Sequence, residues 1–470
     1  MRGTRSRRCA LRRRRRGGRR RRSRRRRLRP PPRSRTRRRR SWRRSRRASR
    51  RRRRRRTTRS SSSARSSSSP SPRSRATTSE RDRADRSGVA SIYVHFPWCL
   101  AKCPYCDFVS YATTREAIDH AGYADAVLRE ASLRARSDER RRAIDSVFFG
   151  GGTPSLWDPA ALGRVLAGLH ESYAIAPDAE VTVECNPTSL DYDRARALLD
   201  AGVNRLSIGT QSLRAEQLKF LGRLHDPAGA QAAVAAAIAA GVPRVSTDLI
   251  FGLPEQSVQD ARDQAAALAD TGLAHLSCYQ LTIEPGTQFG ERKKRGLLPL
   301  ADDGAVADAF LAIDEELEGR GLRHYEISNY AAPGQEARHN LAYWRGDEYV
   351  GVGCGAYGMI RTAEGGVRWR NAIVPGDYVE RTRRGEVEMS REELSREELL
   401  RERIMLGLRV AEGVDLGRAG ADLGTDPWTP ARLRALAKLE ERGRVVRDGD
   451  VLRIPRPAWL FADDTAARLF

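Results

Sequence analysis

The sequence predicts an α/β protein built as a partial barrel of six β/α units, and three observations carry that prediction. Short apolar, β-branched runs recur from residue 91 onward. Longer Ala-, Leu-, Arg- and Glu-rich stretches, most with apolar residues at three- and four-residue spacing, separate them. Polar residues gather where the apolar runs end. Strands that are apolar on both faces must be covered on both sides, which implies parallel pairing with crossover helices. In that architecture the strand C-termini and the loops after them build the site.

The strands are predicted at "SIYVHF" (91–96), "DSVFFG" (145–150), "EVTVEC" (180–185), "NRLSIG" (204–209), "VSTDLI" (245–250) and "HLSCYQLT" (275–282). The helical spacing falls at 120–136, 158–171, 191–201, 213–221, 227–240 and 257–271. At the strand ends lie Gly150, Gly151, Gly152 and Thr153, then Glu184, Gln211, Asp248, Tyr279 and Gln280, while a cysteine-rich loop follows the first strand. Residues 300–385 are mixed and include a Gly-rich "VGVGCGAYG" (350–358). From about 390 the pattern shifts to charged helices at 391–411 and 429–442, then a hairpin, "RVVRDGDVLRIP", turning at Asp448-Gly449. This end reads as a small α+β winged-helix-like domain. Its segment 391–403 is not net basic, so a docking or lid role suits it better than DNA binding. The domains predicted are a tail at 1–88, the barrel at 89–300, an extension at 301–388 and the C-terminal domain at 389–470.

Charge divides the chain in two. Residues 1–88 hold 42 arginines against three acidic residues, so the +29 of the whole resolves into +39 there and −10 over the rest. Such an Arg/Ser run cannot bury enough surface to offset its ordering entropy and is expected to be disordered. It reads either as an arm for phosphates or as a solubilising tail or over-extended gene start. The mildly acidic remainder argues against nucleic acid as its partner. No stretch approaches the roughly 20 apolar residues of a membrane span, and no apolar signal core stands near the start. Cys185, Cys278 and Cys354 sit singly in apolar runs as packed thiols, which fits a reducing, cytoplasmic compartment.

"PWCLAKCPYCDF" (97–108) sets Cys99, Cys103 and Cys106 within eight positions. A structural zinc site needs four ligands, usually as two cysteine pairs, and a second pair is absent. A redox dithiol needs only two. Three thiolates fit a 4Fe–4S cluster with one iron left for an outside ligand.

This loop, with Tyr93 to Phe96 before it, resembles the cluster loop of radical S-adenosylmethionine proteins, and more narrowly the oxygen-independent coproporphyrinogen oxidase-like family. The similarity continues in order through "FFGGGTPS" (148–155), "VTVECNP" (181–187), "NRLSIGTQSL" (204–213), "LGRLHD" (221–226) and "STDLIFGLPEQ" (246–256). The resemblance implies a radical S-adenosylmethionine partial barrel, with the cofactor's amino-acid end on the free iron. By the same resemblance Tyr93, Tyr105, Gly151, Gly152, Thr153 and Glu184 contact S-adenosylmethionine. Gln211, Arg223 and Asp248 match positions lining a second molecule of it in the oxidase.

Two branches are separable. The oxidase has a cysteine two places after its last cluster cysteine, where this chain has Phe108, which sets oxidase activity in doubt. The HemW heme-chaperone branch shares the phenylalanine and the HNxxYW stretch, here His339 to Trp344. In that branch His339 would ligate heme iron, with Tyr343 and Trp344 as flat faces. His95 is the runner-up histidine, and its place inside the first strand suggests packing. The reading is therefore a chaperone that binds cluster, S-adenosylmethionine and heme, has no assigned catalytic residue, and passes heme to apo-hemoproteins of the respiratory chain. A homodimer and a peripheral membrane contact are compatible with it. The alternative is a coproporphyrinogen III oxidase.

Overall fold

The computed structural model describes residues 89–137 and 142–470; the expectations for 1–88 lie outside the described residues. In chain order the strands are β1 (Val89–Phe96), β2 (Trp98–Cys99), β3 (Tyr111–Ala112), β4 (Ala143–Gly151), β5 (Ala174–Cys185), β6 (Arg205–Gln211), β7 (Arg244–Phe251) and β8 (His275–Gln280). There follow β9 (Arg323–Glu326), β10 (Asn329–Ala331), β11 (Glu348–Gly353), β12 (Tyr357–Arg361), β13 (Gly365–Asn371), β14 (Glu388–Ser395), β15 (Val414–Asp415), β16 (Val446–Asp448) and β17 (Val451–Arg453). β1 and β4 to β8 are the six expected strands. The helices between them, from His120–Ser137 to Val258–Ala269, fall where the spacing places them.

One 12-stranded mixed sheet runs β14-β13-β12-β11-β1-β4-β5-β6-β7-β8-β10-β9 and does not close. Its seven central strands, β11 to β8, are parallel. Alternate residues point to opposite faces of a strand. Ile92, Val94, Phe149, Val183, Leu206, Ile208, Leu249 and Leu276 are fully buried in the main apolar core. The residues between them, Tyr93, Phe148, Glu184, Ser207, Asp248 and Ser277, form the opposite, polar face of the sheet, and the site uses this face.

β11 is a parallel strand the sequence reading left within a mixed region. The C-terminal boundary also differs. Residues 388–395 extend the large sheet as β14, where a helix from 391 was expected. The helix Arg396–Gly407 starts later because Ser395 and Glu398 form a reciprocal capping box there. Beyond it, helices Leu416–Leu423 and Pro430–Glu441 and the sheet β15-β17-β16 surround a second core containing Leu400, Ile404, Leu416, Leu452 and Leu469. The hairpin turns at Asp448-Gly449 as expected, with Gly449 at φ 60°.

Candidate functional site

The chain leaves β1 at Phe96 and folds the three-cysteine loop over the C-terminal end of the sheet. The loop is closed by its own backbone: Tyr111 N–H donates to the Pro97 carbonyl at 2.8 Å and Thr113 N–H to that of Cys99 at 2.9 Å. The Lys102 ammonium ties its middle, donating to the Phe108 carbonyl at 2.8 Å and that of Ser110 at 3.3 Å. Each sulfur has a neighbour able to donate to it. Thr153 Oγ1 lies 3.4 Å from Cys99 Sγ, Arg223 Nη1 3.5 Å from Cys103 Sγ, and Ser110 Oγ 3.9 Å from Cys106 Sγ. Burial pushes the Cys99 and Cys106 thiols up, and neighbouring sulfurs add to it.

These three half-buried thiols line one cavity of about 740 Å³. Among the described residues no three His, Cys, Asp or Glu side chains converge as the ligands of a single ion would. Three thiols spread along a cavity wall, each beside a hydrogen-bond donor, are a donor set suited to a multi-iron cluster. The residues present fit that group.

The glycine run holds the loop in place. Gly152 N–H donates to the Phe96 carbonyl at 2.7 Å and Thr153 N–H to that of Trp98 at 2.8 Å. A Cβ on Gly152 would stand 2.6 Å from the Trp98 oxygen, so only glycine lets the two backbones meet. Below the loop, His95 Nε2 lies 2.8 Å from the Val109 carbonyl and its Nδ1 3.0 Å from the Tyr93 hydroxyl. Burial lowers His95 to about 4, so it is a neutral brace, in keeping with its expected packing role. Tyr93 lies outside the cavity lining, beneath Gly150.

Two carboxyls line the same cavity. Glu184 accepts from Gly151 N–H at 3.0 Å, and burial together with the Asp248 charge lifts it to about 7. Burial lifts Asp248 to about 6 against the hydroxyls of Ser277 and Ser207. Arg223 donates to the Gly209 carbonyl at 2.8 Å. Gln211 has φ 68°, a left-handed backbone rare outside glycine, at a register break in β6. Cys99, Cys103, Cys106, Tyr105, Gly151, Gly152, Thr153, Glu184, Gln211, Arg223 and Asp248 thus all line the same cavity. Chemically it offers soft sulfur ligands together with a carboxyl pair for a cation.

His339 is elsewhere. Residues 335–339 lie across the opposite, N-terminal ends of the parallel strands. Arg205 and Arg244 donate to the carbonyls of Gln335 and Glu336, and His339 N–H donates to Glu180 Oε1 at 3.2 Å. Ala337 N–H donates to the Tyr325 hydroxyl, itself paired with His275 of β8. The His339 ring stacks on Phe148 at 4.8 Å and is only 1% exposed. Ser146 Oγ donates to Ser91 Oγ, so it accepts from His339 Nδ1, and the Nε2 lone pair is left without a partner among the described residues. Burial lowers His339 to about 3. The His339 ring also stacks on Tyr93, and since the Tyr93 and Phe148 rings lie directly beneath Gly150, the imidazole sits one ring layer below the cavity floor.

Sequence reasoning missed the outer wall of the cavity. Phe310, Ile327, Arg409, Trp459, Leu460, Phe461 and Asp463 line it, drawn from four segments up to 153 positions apart. "AWLF" (458–461) was the one local cue, an apolar cluster between charged residues.

The fold and site define the class: an open α/β barrel with a CxxxCxxC loop at its mouth is a radical S-adenosylmethionine protein. Residues 93–267 match the radical SAM superfamily and 394–461 the HemN C-terminal domain. The heme chaperone HemW of Escherichia coli K12 is 40% identical over 299 residues, 62% of this chain and 78% of that protein. HemW of Mycobacterium tuberculosis H37Rv is 36% identical over 332 residues, 70% of this chain and 84% of that protein. Radical S-adenosyl methionine domain-containing protein 1, mitochondrial, of Danio rerio is 38% identical over 330 residues, covering 69% and 74%. The structure of coproporphyrinogen III oxidase (HemN) from Escherichia coli superposes with a TM-score of 0.69 at 21% identity, over 81% of this chain and 89% of that one, a likeness of fold. The chain belongs to the HemW family of radical S-adenosylmethionine proteins.

Proposed function

We propose that the protein is a heme carrier that holds a 4Fe–4S cluster at Cys99, Cys103 and Cys106 and S-adenosylmethionine beside it. The observation carrying this is one cavity lined by both the three thiols and the Glu184–Asp248 pair. When bound, the cluster would supply an iron site for the cofactor's amino and carboxylate groups. The chain's own part is electrostatic. Glu184 and Asp248 give up their protons to meet the cofactor's cationic centres, Arg223 and Thr153 hold two of the sulfurs, and Gln211 and Tyr105 complete the lining.

Heme is the cargo and apo-hemoproteins the recipients, as the relatives' name suggests. Heme ligation by His339 stands as one location: its Nε2 carries the free lone pair that ligation needs, and its helix (Arg338–Trp344) must leave the strand ends for iron to reach it. No described helix is long and apolar enough to cross a membrane, and a cytoplasmic site of action with peripheral membrane contact and a homodimer complete the proposal. The deciding experiment is a heme titration of anaerobically reconstituted protein, run beside an assay with coproporphyrinogen III and reductant. Heme uptake with no porphyrinogen turnover is expected. Robust turnover would instead make the protein an oxidase despite Phe108.

A further inference from the structure

From the outer wall of the cavity we infer a binding compartment for a flat, apolar macrocycle, distinct from the barrel floor that holds His339; this deepens the heme-carrier reading and rests on it. The wall is contiguous. The Phe310 ring lies 5.7 Å from His324, and His324 lies 4.3 Å from Trp459. Ile327 N–H donates to the Arg409 carbonyl at 2.9 Å, and the Arg409 guanidinium pairs with Asp463 at 2.6 Å. Helix, strand connection and C-terminal segment are thus locked into one surface facing the cluster loop.

That surface has an unbalanced account of apolar area. Leu460 and Phe461 are 43% and 45% exposed and line the cavity with Ile327 and Phe310. Phe461 is also held rigidly, its ring capped on one side by the Arg444 guanidinium at 3.5 Å from the centroid. Its other face is left for a ligand. A fixed aromatic face beside Leu460 and Ile327 suits a planar ring system, which gains by contact over its whole area. The Arg409 guanidinium is already engaged by Asp463 and by the Met405 carbonyl at 2.8 Å, so what this wall offers a ligand is apolar contact. The cavity is in the upper part of the roughly 300–1,000 Å³ range for small-molecule sites, and its inner half is built of cysteines, glycines and carboxyls. The apolar ligand therefore takes the outer half, within reach of solvent and of a recipient.

The test is a heme titration of the full, reconstituted chain followed by the Soret band, comparing wild type with Leu460→Ala/Phe461→Ala. Both side chains are half exposed, so the variant folds, and unchanged S-adenosylmethionine binding checks this. The expected result is heme affinity about tenfold weaker, from two lost apolar contacts. Unchanged heme affinity in the double variant, with uptake lost in His339→Ala instead, returns heme to the barrel floor and overturns the inference alone. Failure of wild type to take up heme at all refutes the carrier reading itself.

Discussion

Replacing Glu184 by Gln should remove part of the protein's loss of stability with rising pH. In the folded, ligand-free chain this carboxyl is lifted from its ordinary 4.5 to about 7 by burial first and by Asp248 second. Unfolded, it loses its proton near 4.5. Between those two pH values the folded state holds a proton the unfolded state has released, so stability falls as pH rises. At about 1.4 kcal/mol per pH unit the loss comes to about 3 kcal/mol once the pH passes 7. Glutamine keeps an oxygen for Gly151 N–H and has no charge to bury. Asp248 contributes a loss of the same sign, complete near its own value of about 6. Above pH 6 the variant should therefore be flat where wild type still declines, and at pH 8 the variant should be the more stable. Urea midpoints of cluster-free protein at pH 5 to 8 measure the difference. A wild-type-minus-variant curve that is level, or that rises with pH, would refute the assignment of a buried, cation-seeking carboxyl. Bound S-adenosylmethionine should abolish the wild-type decline, because its positive centres supply the missing partner.

Gly152→Ala forces a methyl against the Trp98 and Phe96 oxygens, so iron content after reconstitution should fall sharply at a cost of about 1–3 kcal/mol in stability; normal iron loading would show that the loop tolerates the displacement. Glu348→Ala removes a bidentate partner 2.8 and 3.0 Å from the buried Arg142 guanidinium, and denaturation should show a loss of about 3–5 kcal/mol. Ser395→Ala deletes one half of the capping box and should lower stability by about 1 kcal/mol, with Thr as the rescuing replacement.

Where the physics is local, the sequence announces the structure. Short apolar, β-branched runs mark β1 and β4 to β8, and three cysteines in eight positions mark the cluster loop. Glu184 and Asp248 are legible because each stands at an inward position of an otherwise apolar strand. β11 is not, since Gly351 and Gly353 erase the β-branched signature; a Cβ at either would meet neighbouring backbone, of Tyr357 or His95. The placement of His339 is likewise invisible: a histidine beside aromatics reads the same on a surface or beneath a barrel. Only the contacts of residues 335–339 with Glu180, Arg205 and Arg244, 92 to 159 positions away by sequence, decide it. The outer wall is the extreme case, assembled from segments that share no periodicity.

Among the described residues, 335–339 cork the far end of β5, β6 and β7, so the cavity is reached from the cysteine-loop end. Under the proposed function, occupants would queue from that side: the innermost would enter first and depart last. A guest resting at the threshold would then be exchanged many times while the cofactor behind it stays where it is.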